Sequence, residues 1–179
     1  MIPQLETPRL MLRALTQDDL DAYAVIMGDP DVARYIAPAP MTRDESWRSM
    51  AASLGHWMLR GYGTWAVEVK ATGEMVGRVG MINPEGWPAL EIGWTLGKAA
   101  WGRGYATEAA EAAIRYAFLT QQVDRLISCI DPENASSQKV AIRVGETKGE
   151  RTALKVGGKD YPVDIWSITR GEWLRRAAG

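Results

Sequence analysis

Apolar positions recur along the chain at two spacings, and the order in which those spacings alternate outlines a mixed sheet. Arg9-Leu10-Met11-Leu12-Arg13 reads as a first strand. After Thr16, which can cap a helix, Leu20, Tyr23, Ala24 and Met27 fall at i, i+3, i+4 and i+7 and share one helical face. Gly28-Asp29-Pro30 ends that helix. Thr42-Arg43-Asp44-Glu45 has the form of a capping box, and the helix it opens carries Trp47, Met50, Ala51, Leu54 and Met58 on one stripe. Strands are predicted over 64–69, 75–82 and 89–96. The turn signals between them, Ala71-Thr72-Gly73-Glu74 and Asn83-Pro84-Glu85-Gly86, make an antiparallel meander. Residues 104–120 return to the helical period. Ala106, Ala109, Ala110, Ala113, Ile114 and Ala117 keep that helix small and apolar, which predicts burial. Residues 125–130 form a short unbroken apolar run around Cys129, typical of a central strand. A shorter helix follows over 134–144. Residues 152–156 and 161–169 then flank Gly157-Gly158-Lys159-Asp160 as a closing hairpin. The order β-α-α-β-β-β-α-β-α-β-β predicts an α/β or α+β sheet with helices on both faces.

Composition narrows the function. The 179 residues are 46% hydrophobic and 24% charged, which suits one compact domain. No internal repeat, low-complexity tract or long linker divides them. Lys and Arg number 21 against 22 Asp and Glu, so no basic surplus points to nucleic acid or an anionic membrane. No apolar stretch has the length of a membrane span. Met1-Ile2-Pro3-Gln4-Leu5-Glu6 lacks the features of a signal peptide. With Cys129 as the single cysteine, no disulfide forms within the chain, which fits a cytoplasmic protein. One His and one Cys leave no usual zinc ligand set, so no metal is expected. No Gly-x-Ser-x-Gly elbow accompanies His56, which reads as an ordinary packed or surface histidine. Eight Trp against one Phe supply large flat side chains, more often core than pocket wall.

Chemistry concentrates between Leu90 and Ala109. A strand enters the loop Gly97-Lys98-Ala99-Ala100-Trp101-Gly102-Arg103-Gly104, and the loop opens the long helix. Free amide groups at a helix start, with the helix dipole, form an anion site. Gly102 and Gly104 let the backbone approach a phosphate, and Arg103 adds positive charge. The plainer alternative is a tight turn beside a solvated arginine. A P-loop needs Gly-x-x-x-x-Gly-Lys-Ser/Thr, but Gly97-Lys98 is followed by Ala99, and position 92 is Ile. A dinucleotide loop needs Gly-x-Gly-x-x-Gly. Here Thr107 stands at the third glycine, and the motif follows a meander instead of opening a first βαβ unit.

Trp101-Gly102-Arg103-Gly104-Tyr105-Ala106 instead resembles the acetyl-CoA loop of the GCN5-related N-acetyltransferases (GNAT). The family pattern Gln/Arg-x-x-Gly-x-Gly/Ala is met everywhere but the first position, where Trp stands. Tyr105-Ala106-Thr107-Glu108-Ala109 resembles the branch that includes the ribosomal-protein N-terminal acetyltransferases. Glu6-Thr7-Pro8-Arg9-Leu10-Met11-Leu12-Arg13 is similar to that branch's opening strand, and Glu91-Ile92-Gly93-Trp94 to its fourth strand. Asp131-Pro132-Glu133-Asn134-Ala135-Ser136-Ser137 is similar to its Asn-x-x-Ser helix start. These matches run in order over nearly the whole chain. Residues 1–179 are therefore read as one acetyltransferase domain with a central mixed, mostly antiparallel sheet. Two departures stand out. Gly145-Glu146 replaces the frequent Gly-Phe, and Ala141 occupies the place where many members carry a tyrosine general acid.

The resemblance implies direct transfer of acetyl from acetyl-CoA, the donor co-substrate, to a primary amine in a ternary complex. A protonated amine cannot attack, so a base is needed; charge growing on the thioester oxygen needs an N–H donor. By position, Trp94, Thr95 and Leu96 receive the thioester and pantetheine, and Gly102, Arg103, Gly104, Tyr105, Ala106 and Thr107 receive the pyrophosphate. Asn134 holds the pantetheine amide, Ser137 protonates the thiolate, and Glu91 is the candidate base. Each has a plainer rival: Glu91 pairing with Arg78 across strands, Asn134 capping its helix, Ser137 bonding to the helix start. Lys139 and Arg143 either meet the 3′-phosphate or form a solvated face. The acceptor, a small-molecule amine or a protein N-terminus, is expected near Tyr35, Trp47, Trp57, Asp29, Asp31, Asp44 and Glu45. The branch also allows a homodimer, for which no seam is readable. Two rival functions remain: an acetyl-CoA-binding sensor without efficient catalysis, and a nicotinamide-dependent oxidoreductase that would bind NADH instead.

Overall fold

The computed structural model describes residues 1–156 and 158–178. From the N-terminus the chain forms β1 (Leu5–Glu6), β2 (Leu10–Arg13), α1 (Leu20–Met27), α2 (Pro30–Ala33) and α3 (Arg43–Arg60). The meander follows as β3 (Thr64–Val69), β4 (Glu74–Ile82) and β5 (Glu91–Leu96). Then come α4 (Tyr105–Thr120), β6 (Arg125–Ile130), α5 (Ala135–Val144), β7 (Thr147–Val156), β8 (Lys159–Thr169) and α6 (Arg170–Ala178). All eight strands join one sheet in the order β1-β2-β3-β4-β5-β6-β8-β7. Every neighbouring pair is antiparallel except β5 and β6. The expected mixed, mostly antiparallel sheet is therefore present.

Alternation along the strands sends successive side chains to opposite faces. Leu10, Leu12, Trp65, Val67, Val79, Met81 and Ile92 pack with Ala109, Ala110, Ala113, Ile114, Ala117 and Phe118 of α4. The alanines are fully buried, as expected from their spacing, and let α4 lie close on the strands. On the other face, Ala66 packs with Leu20, Tyr23, Ile26 and Met27 of α1 and Met50 of α3. Helices thus cover both faces. Among the described residues no helix is long and apolar enough to cross a membrane.

The structure corrects several expectations. The buried face of α3 is Ser46, Met50 and Trp57 instead of the stripe through Trp47, Ala51 and Met58; Trp47 is 49% and Met58 84% exposed. Trp57 sets the helix rotation. Its indole N–H donates to the Thr64 carbonyl at 2.9 Å, and its ring meets Trp65 edge-on at 5.0 Å. Gly63 makes room for that ring, because a Cβ there would lie 2.6 Å from it. The Gly28-Asp29-Pro30 break is also the start of α2: Asp29 caps it by accepting from the Asp31 N–H, and Pro30 occupies its first position. The last strand pair is longer than expected, since β7 begins at Thr147. Gly157 of the expected hairpin turn lies outside the described residues. β1 is too short, and α6 too exposed, to leave an apolar period in the sequence.

Trp57→Phe should lower stability by about 1–3 kcal/mol, because the buried Thr64 carbonyl loses its donor. Trp47→Ala should change it by no more than about 0.5 kcal/mol. Urea unfolding of both variants checks which face of α3 is packed.

Candidate active site

Trp101-Gly102-Arg103-Gly104 bends the chain from β5 into α4. Gly102 and Gly104 hold φ of 73° and 79°, left-handed values that disfavour any side chain. Gly104 is the N-cap residue and offers no side chain to the helix. The first helical bond of α4 runs from the Glu108 N–H to the Gly104 carbonyl. The N–H groups of Tyr105, Ala106 and Thr107 therefore have no partner within the helix. They open onto a groove of about 1190 Å³ that Trp94, Thr95, Leu96 and residues 102–107 line. Asn134, Ser137, Lys139 and Arg143 line its other side.

Motif residues to which the sequence assigned no role of their own hold this loop in place. The Trp101 indole N–H donates to the Leu96 carbonyl at 2.8 Å, so the residue that departs from the family pattern ties the loop to β5. Arg9 Nη1 donates to the Arg103 carbonyl at 2.8 Å, and Arg9 Nε to Glu108 at 2.6 Å. The Thr7 hydroxyl and Arg9 backbone N–H also donate to Glu108. Lys98, at the start of the loop, pairs with Asp31, which lines the groove. The Arg103 side chain itself is exposed.

Beside the loop the sheet forks. β6 meets β5 at a single register pair, Glu91↔Ile127, and then diverges. The Gly97 N–H donates to the Val76 carbonyl, which sets the antiparallel ladder so that odd residues of β5 bond to β4. Ile92, Trp94 and Leu96 consequently turn their backbone toward the fork. The Ile92 carbonyl accepts from the Ser128 hydroxyl at 2.8 Å; the Trp94 amide has no strand facing it. Asn134 caps α5 by accepting from the Ser137 N–H at 3.1 Å, and Ser137 Oγ accepts from the Trp94 indole at 3.3 Å. The capping alternative for Asn134 is thus realised, and its position on the groove is realised with it.

A second cavity of about 400 Å³ opens on the α1–α3 side of the fork. The two spaces share Tyr35, Ile36, Trp94, Thr95, Asn134 and Ser137 as walls. Glu91 lines this smaller cavity and not the groove. The suggested Glu91–Arg78 pair does not form: Glu91 lies opposite Ile82, and Arg78 opposite Thr95. Glu91 instead accepts from the Trp87 indole N–H and, at 3.2 Å, from the Cys129 N–H. Burial outweighs both bonds and pushes its carboxyl up to about 7. Burial, and then the charge of Glu91, also raise the Cys129 thiol.

Of the expected acceptor residues, only Tyr35 reaches the smaller cavity. Trp57 is core, Trp47 faces outward, and Asp31 lies on the groove. Asp44 pairs with Arg48, while Asp29 and Glu45 serve helix starts. Ser49, His56, Arg78, Trp87 and Tyr161 line the cavity instead. They come from four separate stretches of chain, so no local motif announces them. Both ring nitrogens of His56 are occupied by backbone: Nδ1 donates to the Tyr62 carbonyl at 2.7 Å, and Nε2 accepts from the Asn83 N–H at 3.1 Å.

Glu146 is a functional-looking group behind the fork. The Ser128 hydroxyl has one proton, and two oxygens lie 2.8 Å from it, the Ile92 carbonyl and Glu146 Oε1. The carbonyl only accepts, so the Ser128 proton goes there and Glu146 must be the donor to Ser128. Glu146 is accordingly a neutral acid. Burial, reinforced by the charge of Glu91, raises its carboxyl to about 8. A raised carboxyl favours folding most where the unfolded chain is still protonated, near its ordinary 4.5, and loses ground as pH climbs to about 8. In Glu146→Gln the amide N–H replaces the acid donor. Urea midpoints of variant and native protein should therefore draw apart between pH 5 and 8, with the variant gaining.

Comparisons with known proteins agree with this geometry. Residues 9–147 match the family model described as an acetyltransferase (GNAT) domain. The chain is 34% identical to the uncharacterized N-acetyltransferase p20 of Bacillus licheniformis, covering 94% of this chain and 97% of that one. It is 26% identical to the [ribosomal protein uS5]-alanine N-acetyltransferase of Escherichia coli K12, over 95% of this chain and 92% of that protein. The crystal structure of an acetyltransferase from Agrobacterium tumefaciens superposes with a TM-score of 0.82 at 32% identity, covering 95% and 96% of the two chains. A groove ending on free helix-start amides, a forked sheet and this family match lead to one assignment: the chain belongs to the GNAT acetyltransferases and is an acetyl-CoA-dependent N-acetyltransferase.

Proposed function

We propose that this chain, acting as one domain, carries acetyl directly from acetyl-CoA to a primary amine held in the smaller cavity. The fork between β5 and β6 is the observation that carries the proposal, because it is where groove and cavity meet. The groove fits the donor. Three unpaired amides and two left-handed glycines suit a pyrophosphate, and Lys139 and Arg143 stand on the wall for a further phosphate. The bound thioester supplies the activated acetyl group.

The chain's own groups have separate tasks. Glu91, ionised above about pH 7, takes a proton from the incoming ammonium, directly or through water. The Trp94 backbone N–H faces the fork and meets the oxygen on which charge gathers. Ser137, already oriented by the Trp94 indole, returns a proton to the departing sulfur. Ala141, at the place of the family's frequent tyrosine, is fully buried and takes no part.

Saturating acetyl-CoA should raise the unfolding temperature by several degrees, and NADH should not. Gly104→Val, which forces a β-branched residue into a left-handed backbone, should abolish the shift while leaving the fold intact. An unchanged shift would place the donor elsewhere. Thiol release that needs an added amine separates an enzyme from an acetyl-CoA sensor. With such an amine, Glu91→Gln should lower kcat by about 10²–10⁴ and remove the rise in rate through pH 7.

A further inference from the structure

Three arginines of the chain are half-buried, at positions 13, 78 and 170. Two of them are satisfied within the fold. Arg13 donates to the carboxylates of Asp19 and Glu68. Arg170 donates to the backbone carbonyls of Phe118, Gln121 and Val123. Arg78 is different. Its Nη1 donates to the Tyr23 hydroxyl at 2.8 Å and reaches Ser49 Oγ at 3.4 Å, and its guanidinium lies 5.8 Å from the Tyr23 ring centre. Among the described residues no carboxylate pairs with it, and Nε and Nη2 have no hydrogen-bond partner. Its unpartnered nitrogens are not shut away from solvent, so the free fork is open to the cavity and suits a carboxylate.

That fork belongs to the smaller cavity. Arg78 is the one Lys or Arg among its described lining residues; Glu91 and Asp131 are its Asp and Glu. Arg78 sits level with Thr95, and Glu91 lies four residues along β5 on the same face, about 13 Å by backbone rise. Both side chains are long and shorten that span. Gly93, between them on this face, leaves the floor bare. The cavity is therefore polarised, with a cation at the α1–α3 end and carboxyl groups at the β6 end. Its volume, about 400 Å³, is that of a small-molecule site.

We infer that the acceptor is a free amino acid, whose carboxylate is bound by Arg78 and whose amine lies toward Glu91. This rests on the acetyl-transfer reading above and makes it more specific. A peptide N-terminus carries an amide in place of that carboxylate and leaves Arg78 unmatched. Tyr23 and Ser49 orient the guanidinium from behind and carry no charge that competes with the ligand.

The experiment compares free amino acids with their carboxamides, matched side chain for side chain, in amine-dependent thiol release by the native protein and by Arg78→Gln. The lower amine pKa of a carboxamide acts equally on both proteins, so the change between them reads the carboxylate contact. The variant should lose about tenfold to a hundredfold in kcat/KM for the acids, through KM, and keep its value for the carboxamides. Its thermal shift with acetyl-CoA should match that of the native protein. A second measurement needs no variant: the carboxylic acid lacking the amino group should compete with the amino acid acceptor in the native enzyme, and its amide should not. Equal losses on acids and carboxamides, or acetylation of carboxamides alone, overturn the inference and leave acetyl transfer standing. No thiol release with either set, despite a normal acetyl-CoA shift, overturns the amino-acid acceptor and leaves acetyl transfer to a primary amine of another kind standing.

Discussion

The single register pair between β5 and β6 is the constraint on which the site depends. Two neighbouring parallel strands normally satisfy each other along their length. Here the pairing stops after Glu91↔Ile127, and Trp94 lies on β5 just beyond that pair. Its side chain packs with Ile130, Ala141 and Trp166, and its indole reaches Ser137 on α5. Beyond the last register pair the Trp94 amide has no partner on β6. An unpaired backbone amide is costly in a dry core, but at the head of an open groove it is available to a ligand.

Around that fork, distant parts of the chain combine to hold one loop. Left-handed glycines allow the turn into α4 but do not aim it. The aim comes from Trp101 bonded to β5, and from Arg9 and Thr7 bonded to Glu108. The buried alanine face of α4 then fixes the helix, and with it the direction of its free amides, against the sheet. The turn between β1 and β2 is thus part of the apparatus that shapes the groove, although those strands lie several places from β6 in the sheet.

Charge in the second half of the site is governed by burial. Glu91 and Glu146 flank the start of the fork; burial raises both carboxyls, and the charge of Glu91 adds to the difficulty of ionising Glu146. Glu146 stays a hydrogen-bond donor to Ser128, and Ser128 in turn holds the Ile92 carbonyl. A neutral acid behind β5 lets Glu91 bear the negative charge on the cavity side. Arg78 balances that side without quenching Glu91, since the two lie at different levels of the β4–β5 ladder.

Much of this was determined by the sequence alone. The apolar periods of the meander, of α4 and of β6 place those elements because each is set by neighbours within a few residues. The glycine loop and the Asn134-to-Ser137 cap are legible for the same reason: their geometry is local. What the tertiary structure decided is the rest. The rotation of α3 turned on Trp57 finding Thr64 and Trp65, a choice that local periodicity cannot rank against Trp47. The cavity wall gathers Ser49, Arg78, Trp87 and Tyr161 from separate elements. The raised carboxyls of Glu91 and Glu146 come from what buries them. Burial, the partner of an arginine and the end of a strand pairing are properties of packing between distant residues, and only the folded chain specifies them.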